Sequence, residues 1–333
     1  MAFCTPGTRQ QMNMKQQHLY LSVFAALLTA CGSAPDVRST AEARAVEVTW
    51  EAEILQSHPL TGRIYSSRKG AFVSAAEMTQ ALRNAPVVLI GERHDHPDHH
   101  RLQGWILSRL DPEAVVGFEM LDELDVDPIA DVQTADALRA ASKWDESGWP
   151  DFTLYRPVFD ALYAAGHTAA AVHPSRKRLR DLMMGPASQA TENRDLATSL
   201  SEDGLAALRR DITKGHCGHA TPPIVEAMIL AQRFKDRWMT TRLKEAANGK
   251  QAVLIAGNGH IRRDYGVPND YDAPVMSVAL LEVRRDRETP AEYTPELYDW
   301  VWFTPRIDEI DPCEKFKAQL EKIRKKAHSK AEK

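Results

Sequence analysis

The sequence predicts an α/β fold with a mostly parallel central sheet and helices on both faces. Three observations carry that reading. The apolar runs Val87–Ile90, Ala114–Met120 and Val253–Ala256 have the length of buried strands, and near-continuous hydrophobicity is the pattern of a strand covered on both sides. Helical stretches with their own start and stop residues lie between the runs, which is how parallel strands are connected. Two runs end in a glycine followed shortly by a histidine, so polar groups collect where strands stop, the place open α/β sheets put ligand sites. Of the 333 residues, 43% are hydrophobic and 26% charged, enough for a packed core of one large or two modest domains. The formal net charge of −4 shows no basic excess, and no nucleic-acid motif is present.

Residues 1–30 are read as a signal peptide, not as fold. Leu19 to Ala30 is apolar but too short for a mature transmembrane helix, and Lys15 supplies the positive flank. A start at Met14 instead of Met1 or Met12 gives the more typical short basic leader. The run closes in Leu28-Thr29-Ala30-Cys31-Gly32-Ser33, which resembles the bacterial lipobox. Cys31 is then the lipidation site and the mature N-terminus, held to a membrane by acyl chains such as palmitate. The alternative is an ordinary secretory signal with a nearby cysteine. Gly32-Ser33 lacks the aspartate that favours inner-membrane retention, so the outer membrane is the expected address in the cell envelope. Cys4 leaves with the signal. Cys217 and Cys313 remain in an oxidising compartment and are expected to bond. The rival is Cys217, in Gly215-His216-Cys217-Gly218-His219, as a metal ligand.

Residues 31–45 read as a linker and 46–305 as one domain. Val46–Ile54 is expected as an edge strand and Thr61–Tyr65 as another short one. Ser74-Ala75-Ala76-Glu77 is a capping box that opens a helix to about Asn84, and Pro86 separates it from the strand at Val87. Pro97 suits a helix start, with Asp95 or His96 as cap. His96, His99, His100 and Gln103 then share one face. A strand over Ala114–Met120 carries one charge, Glu119. A helix is expected over Thr134–Ser142, and another from Pro157 to about Ala165, placing Tyr155 and Arg156 just before it. His167–His173 reads as a strand ended by Pro174, followed by a basic helix from Ser175. A helix is expected over Ser201–Asp211, and a long one from Pro222-Pro223 to Ala247, with Ile224, Met228, Ala231 and Phe234 on its apolar side. Asn248-Gly249 ends it. Val275–Val283 is the last expected strand, the aromatic stretch Tyr298–Phe303 packs back on the domain, and 306–333 is a charged tail.

Glu92 and His94 are expected on the same side of one strand end, with Glu119 and His260 at the same sheet edge. Imidazole and carboxylate suit zinc, iron or manganese, so Glu92, His94 and His260 form a candidate metal set. Glu92 or Glu119 would then be the general base of a metal-dependent hydrolase. No single segment carries a protease, serine-hydrolase or Walker signature.

Longer motifs point elsewhere. Gly91-Glu92-Arg93-His94-Asp95-His96-Pro97-Asp98-His99-His100, Phe118-Glu119-Met120-Leu121-Asp122, and Ile255-Ala256-Gly257-Asn258-Gly259-His260 continuing through Pro268 closely resemble the ChaN family of haem-binding bacterial lipoproteins. Trp149-Pro150, Tyr155-Arg156-Pro157 and His216-Cys217-Gly218 also look like that family, and the resemblance spans about residues 60–305. The wider group includes the Tiki metalloproteases and erythromycin esterases. Gly91/His94, Gly257/His260 and Glu119 match the paired Gly-x-x-His motifs and separate glutamate of the Tiki enzymes.

The resemblance implies haem as cofactor, a role in iron uptake, a haem transport system as partner, and a homodimer sharing tyrosine-ligated haem. A phenolate is a sensible ferric ligand. Tyr155 with Arg156 for a propionate, or Tyr265 with Arg262, are the candidates it leaves open, with His100 nearby as a further cofactor contact. A divalent metal and hydrolysis stand as the alternative reading.

Overall fold

In the computed structural model, residues 48–184, 199–311, 313–315 and 317 are described. The expected signal peptide, Cys31, the expected linker and most of the C-terminal tail lie outside them.

The sheet has eight strands: β1 Ile64–Ser66, β2 Ala71–Val73, β3 Val87–Glu92, β4 Val115–Asp122, β5 Thr168–His173, β6 Ala252–Gly257, β7 Val275–Glu282 and β8 Trp300–Thr304. Their spatial order is β2-β1-β8-β7-β3-β6-β4-β5. The run from β8 to β5 is parallel throughout, while β1 pairs antiparallel with β8 and β2. Six carboxyl ends therefore emerge at one edge, and β6, inserted late between β3 and β4, brings its own end between theirs.

Alternation along the strands divides the core in two. Val88, Ile90, Val116, Phe118, Val253 and Ile255 face one side. There they meet helices α1 (Ala75–Arg83), α2 (Pro97–Leu107), α4 (Ala135–Ala141), α5 (Trp144–Ser147) and α6 (Phe152–Ala164). The short helix α3 (Val126–Ile129) precedes α4 and adds Ile129 to this layer. Leu89, Val115, Leu254 and Ala256 face the other side, against Met239 and Leu243. Burying each such side chain stabilises the fold by roughly 1.5–3 kcal/mol. The remaining helices are α7 (Arg176–Met184), α8 (Glu202–Gly215) and α9 (Pro222–Ala247), the last carrying Met239 and Leu243.

The helix ends follow the sequence. Ser74 caps α1 by accepting from the Glu77 N–H, and Thr134 caps α4 by accepting from Ala137. Asn248, left-handed at φ 44°, closes α9. Four expectations are corrected. Val46–Ile54 is not an edge strand, since what is described of it makes one isolated bridge, Ile54 to Arg306. Helix α6 starts at Asp151, whose side chain accepts from Thr153, and Pro157 lies inside it. Tyr155 is therefore a buried helical residue. Pro157 sits where α6 crosses α2: a Cβ on Gly104 would lie 2.7 Å from the Pro157 carbonyl oxygen. On the apolar side of α9, Ala231 is buried as expected and Phe234 packs on Leu230, but Ile224 is exposed, and Val225, Ile229 and Leu230 are buried. The aromatic stretch does pack on the domain, but as strand β8. Strand β2 was not expected at all, being three residues long.

The Cys217 and Cys313 sulfurs are bonded, so the start of the tail is tied to the turn after α8. Among the described residues no helix is long and apolar enough to cross a membrane.

Candidate functional site

The site forms at the carboxyl ends of β3, β6 and β4. Glu92 pairs in register with Gly257, and Gly257 donates its N–H to Glu119 Oε2 at 2.9 Å. Alternation sends Glu92 toward the α2/α6 side. There it accepts from Gln103 Nε2 at 2.7 Å and from the Tyr155 hydroxyl at 2.6 Å. Glu119, on β4 at the far side of β6, turns toward α9, where its Oε1 lies 3.0 Å from His260 Nε2 and 3.9 Å from Lys235 Nζ. His94 follows the end of β3 and lies across the sheet edge between the two carboxylates. Its Nδ1 is 2.6 Å from Glu92 Oε1 and its Nε2 3.6 Å from Glu119 Oε2. His260 Nδ1 reaches Asp236 Oδ1 at 2.5 Å. Acids and imidazoles thus alternate from Asp236 through His260, Glu119 and His94 to Glu92, ending on Tyr155.

The motif glycines make this approach possible. A Cβ on Gly91 would collide with the Asn258 side chain and with Ile261 Cδ1. A Cβ on Gly257 would press on His94 Nε2 at 3.1 Å.

The electrostatics follow from burial and pairing. Burial opposes ionisation of Glu92, but His100 and His94 outweigh it and hold the carboxyl far below its ordinary range. Glu119 is likewise held low against burial, chiefly by His260. Burial also disfavours the His94 imidazolium, yet Glu92 and Glu119 raise it to about 9. His260 is raised for the same reason by Glu119 and Asp236. Pairing therefore favours the carboxylate forms of Glu92 and Glu119 and the imidazolium forms of His94 and His260, a chain of groups able to hold and pass protons.

Beside it lies an open cavity of about 400 Å³, lined by Met120, Leu124, Lys143, Trp149, His173 and Arg176 among others. Its volume is within the roughly 300–1,000 Å³ of small-molecule sites. Trp149 joins cavity to cluster, its ring 4.9 Å from that of His94 and 6.5 Å from that of His173. Leu124 is 72% exposed at the rim. Among the described residues, Lys143 and Arg176 have no carboxylate partner. Trp149, His173, Met120 and Leu124 give the cavity aromatic and apolar surface, and Lys143 and Arg176 share its lining with the carboxylates of Asp122, Asp125 and Glu146.

The family's sequence pattern, described as haem-binding uptake, Tiki superfamily, ChaN, matches residues 78–270, more than half of the chain. The chain belongs to the ChaN family. Its fold is similar to that of ChaN of Campylobacter jejuni, whose structure describes cofacial haem binding, at 19% identity and a TM-score of 0.59, over 72% of this chain and 95% of that one. The type III effector HopBA1 aligns over 78% of this chain and 99% of its own, at 11% identity and a TM-score of 0.39, too low to carry an argument. No curated protein sequence matches the chain.

Several ChaN-derived candidates sit elsewhere than expected. Tyr155 is fully buried and hydrogen-bonded to Glu92, and burial together with that carboxylate pushes its phenol far up. Arg156 lies on the exposed side of α6, ion-paired with Asp136 and Asp160, not beside the Tyr155 hydroxyl. The Tyr265 hydroxyl donates to Asp211 at 3.0 Å, and burial raises its phenol too. Arg262 stacks 4.3 Å from the Tyr265 ring and pairs with Asp211 and Asp264, so its charge is already met. For either phenol to bind iron as phenolate it must first leave a carboxylate. His100 is fully buried, with Nδ1 3.3 Å from Glu92 Oε2 and Nε2 3.1 Å from the His94 carbonyl; it supports Glu92 and lines no part of the cavity. His96 and His99 stack and bond to Pro305 and Thr304, bracing the end of β8.

The metal set is also corrected. Glu92, His94 and His260 are in one cluster, but each donor atom is aimed at another member. Among the described residues no group of three or more histidine, cysteine or acidic side chains is arranged to hold a metal ion. As placed, these residues do not fit one.

Sequence reasoning missed Asp236, Lys235 and Gln232, whose Nε2 lies 3.0 Å from His260 Nδ1. Their signal is polar spacing at i, i+3 and i+4 on the sheet-facing side of α9. His173 was seen only as a strand end.

Proposed function

We propose that this chain is an exported haem-binding protein of the ChaN family that serves iron uptake. The observation that carries the reading is the cavity between Trp149, His173 and Leu124, rimmed by Lys143 and Arg176, at the sheet edge that holds the family motifs. Its aromatic and apolar surfaces suit a porphyrin, and Lys143 and Arg176 would meet propionates in a lining that also holds Asp122, Asp125 and Glu146. The lipobox ending at Cys31 supports anchoring by acyl chains, with the outer membrane favoured by Gly32-Ser33. A haem transport system would be the recipient, and a homodimer would place two such cavities together. Hemin titrated into the purified chain should give a saturable Soret band near one haem per chain. A band that grows without saturation, as with free hemin adsorbing to protein, would contradict the reading.

A second reading rests on the closely spaced Asp236–His260–Glu119–His94 chain. That arrangement supports general acid–base work on a substrate entering past Trp149, without a metal. Ester and amide hydrolysis lost in Glu119→Gln would favour it; no turnover of such substrates would remove it.

A further inference from the structure

The chain leaves apolar side chains in water where β4 passes into α3. Leu124 is 72% exposed and Val126 47%, two of the four large apolar side chains so exposed among the described residues. Pro128, one turn on, is exposed as well. Neighbouring apolar side chains left in water mark a site of interaction. The ground around this ridge is acidic. Residues 122–146 hold eight aspartates and glutamates against Arg139 and Lys143. Glu123 is paired with Arg178, Asp136 with Arg156, and Asp145 with Arg139. Asp127 and Asp131, beside the apolar tips, are exposed, and among the described residues neither has a cationic partner.

The same chain carries a complement to that ridge. Residues 314–333 hold eight lysines and arginines against three glutamates. Phe316, Leu320 and Ile323 lie among them, four and three residues apart, the interval of anchors along one side of a docking segment. Most of this tail lies outside the described residues, but its root does not. Lys315 pairs with Asp308, and Asp308 with Arg93 at the end of β3. Cys313 is bonded to Cys217 in the turn before α9, and α9 leads into β6, so that turn lies at the carboxyl edge of the sheet too. Strand β4, which runs into the ridge, is two places from β3, roughly 10 Å across the sheet. Residues 316–333 span up to roughly 60 Å when extended and roughly 27 Å when coiled. Either length reaches the ridge.

We propose that the Lys-rich tail docks on the acidic Leu124–Val126 ridge of its own chain, with Phe316, Leu320 and Ile323 covering the apolar tips and the lysines meeting Asp127 and Asp131. Each exposed ion pair contributes little by itself. Joining the partners in one chain, however, makes the contact intramolecular, so a weak contact suffices. The docking needs no haem, although Leu124 also lines the cavity.

The test treats the purified full chain with a carbodiimide, which joins a lysine to a carboxylate it touches, and maps the products by mass spectrometry. The expected products join Lys322, Lys325 or Lys326 to Asp127 or Asp131. Their yield should drop several-fold at about 1 M salt, where the Debye length is only about 3 Å. It should drop as far in Leu124→Ser with Val126→Ser, and in Phe316→Ser with Leu320→Ser. Leu124 and Val126 are exposed, so the first pair should keep the parent's melting curve. Parent-like yields in both pairs and at high salt would overturn the proposal. Chain labelled with heavy nitrogen, mixed with unlabelled chain, separates the two sources of the tail. Products within one label are expected. Products joining the two labels in statistical share would overturn the proposal in favour of a second copy. Absence of tail-to-ridge products would overturn it as well. Salt-sensitive sedimentation of the same chain with phosphatidylglycerol vesicles would then assign the tail to an anionic membrane surface.

Discussion

The Tyr155 hydroxyl donates to Glu92 Oε1 across 2.6 Å, tying the second turn of α6 to the last residue of β3. Both partners are buried, so the bond links the helical layer to the sheet where the site begins. A buried hydrogen bond to a charged group contributes about 1.5–3 kcal/mol. Tyr155→Phe is therefore expected to lower unfolding free energy by about that much, while the hemin-loaded spectrum stays unchanged. Urea unfolding and absorbance measured on the same samples check it. Unchanged stability with a lost haem spectrum would make Tyr155 a ligand instead of a brace.

The His94 imidazole is raised from 6.5 to about 9 by Glu92 and Glu119 against the effect of burial. A group raised by folding contributes stability that is fully present below its unfolded value and is lost as pH rises through its folded one. The melting temperature should therefore fall between about pH 6.5 and pH 9. His94→Gln should flatten that fall without abolishing it, because His260 is raised as well. On the acid side, Glu92 and Glu119 are lowered, so their contribution is present above about 4.5 and fades as pH drops toward their folded values. Melting curves with the same slope from pH 6.5 to 9 in parent and His94→Gln would contradict the assignment.

At the crossing of α2 and α6, two effects oppose one another in Gly104→Ala. Alanine gains about 1 kcal/mol of helix propensity. The new Cβ, however, meets the Pro157 carbonyl oxygen at 2.7 Å and Ala161 Cβ at 3.3 Å, and the first of these is backbone that cannot rotate away. Overpacking of this kind costs about 1–3 kcal/mol. The net expectation is a destabilisation of up to about 2 kcal/mol, seen as a lower denaturation midpoint. A midpoint equal to or above the parent's would show that the helices separate freely.

The Cys217–Cys313 bond closes a sequence separation of 96 residues. The segment before Cys313 is part of the fold, since Arg306 bridges to Ile54 and Asp308 pairs with Arg93 at 2.9 Å. Reduction, or the paired change to serine, is expected to cost about 2–4 kcal/mol. Denaturant curves with and without reductant measure it. Coincident curves would mean that the tail is held by its ion pairs alone.

Much of this architecture was legible because apolar runs and caps are local signals. Strand β3, the Ser74 cap, and α9 from Pro222 to Ala247 follow directly from residue order. Strand β2 carries too few residues for any periodicity, and β8, though made of strand-favouring residues, is buried along its whole length and shows no alternation. Pro157 misled because proline is commonest at a helix start, whereas here the Asp151 cap lies six residues upstream. The candidate site was half legible. Glycine–histidine strand ends announced His94 and His260, but partners such as Asp236 come from a helix face that only tertiary packing brings over the sheet. His173 ends a strand too, yet without a glycine beside it nothing marked it as different from a core residue.

The central claim is that haem occupies the cavity beside β4 and β5. It is tested most directly by a crystal structure of the hemin-loaded chain with the iron located by anomalous scattering. The account predicts iron in that cavity, with the porphyrin against Trp149 and its propionates toward Arg176 and Lys143. Iron at Tyr265, at the Glu92–His94–Glu119 cluster, or at no fixed position would contradict it.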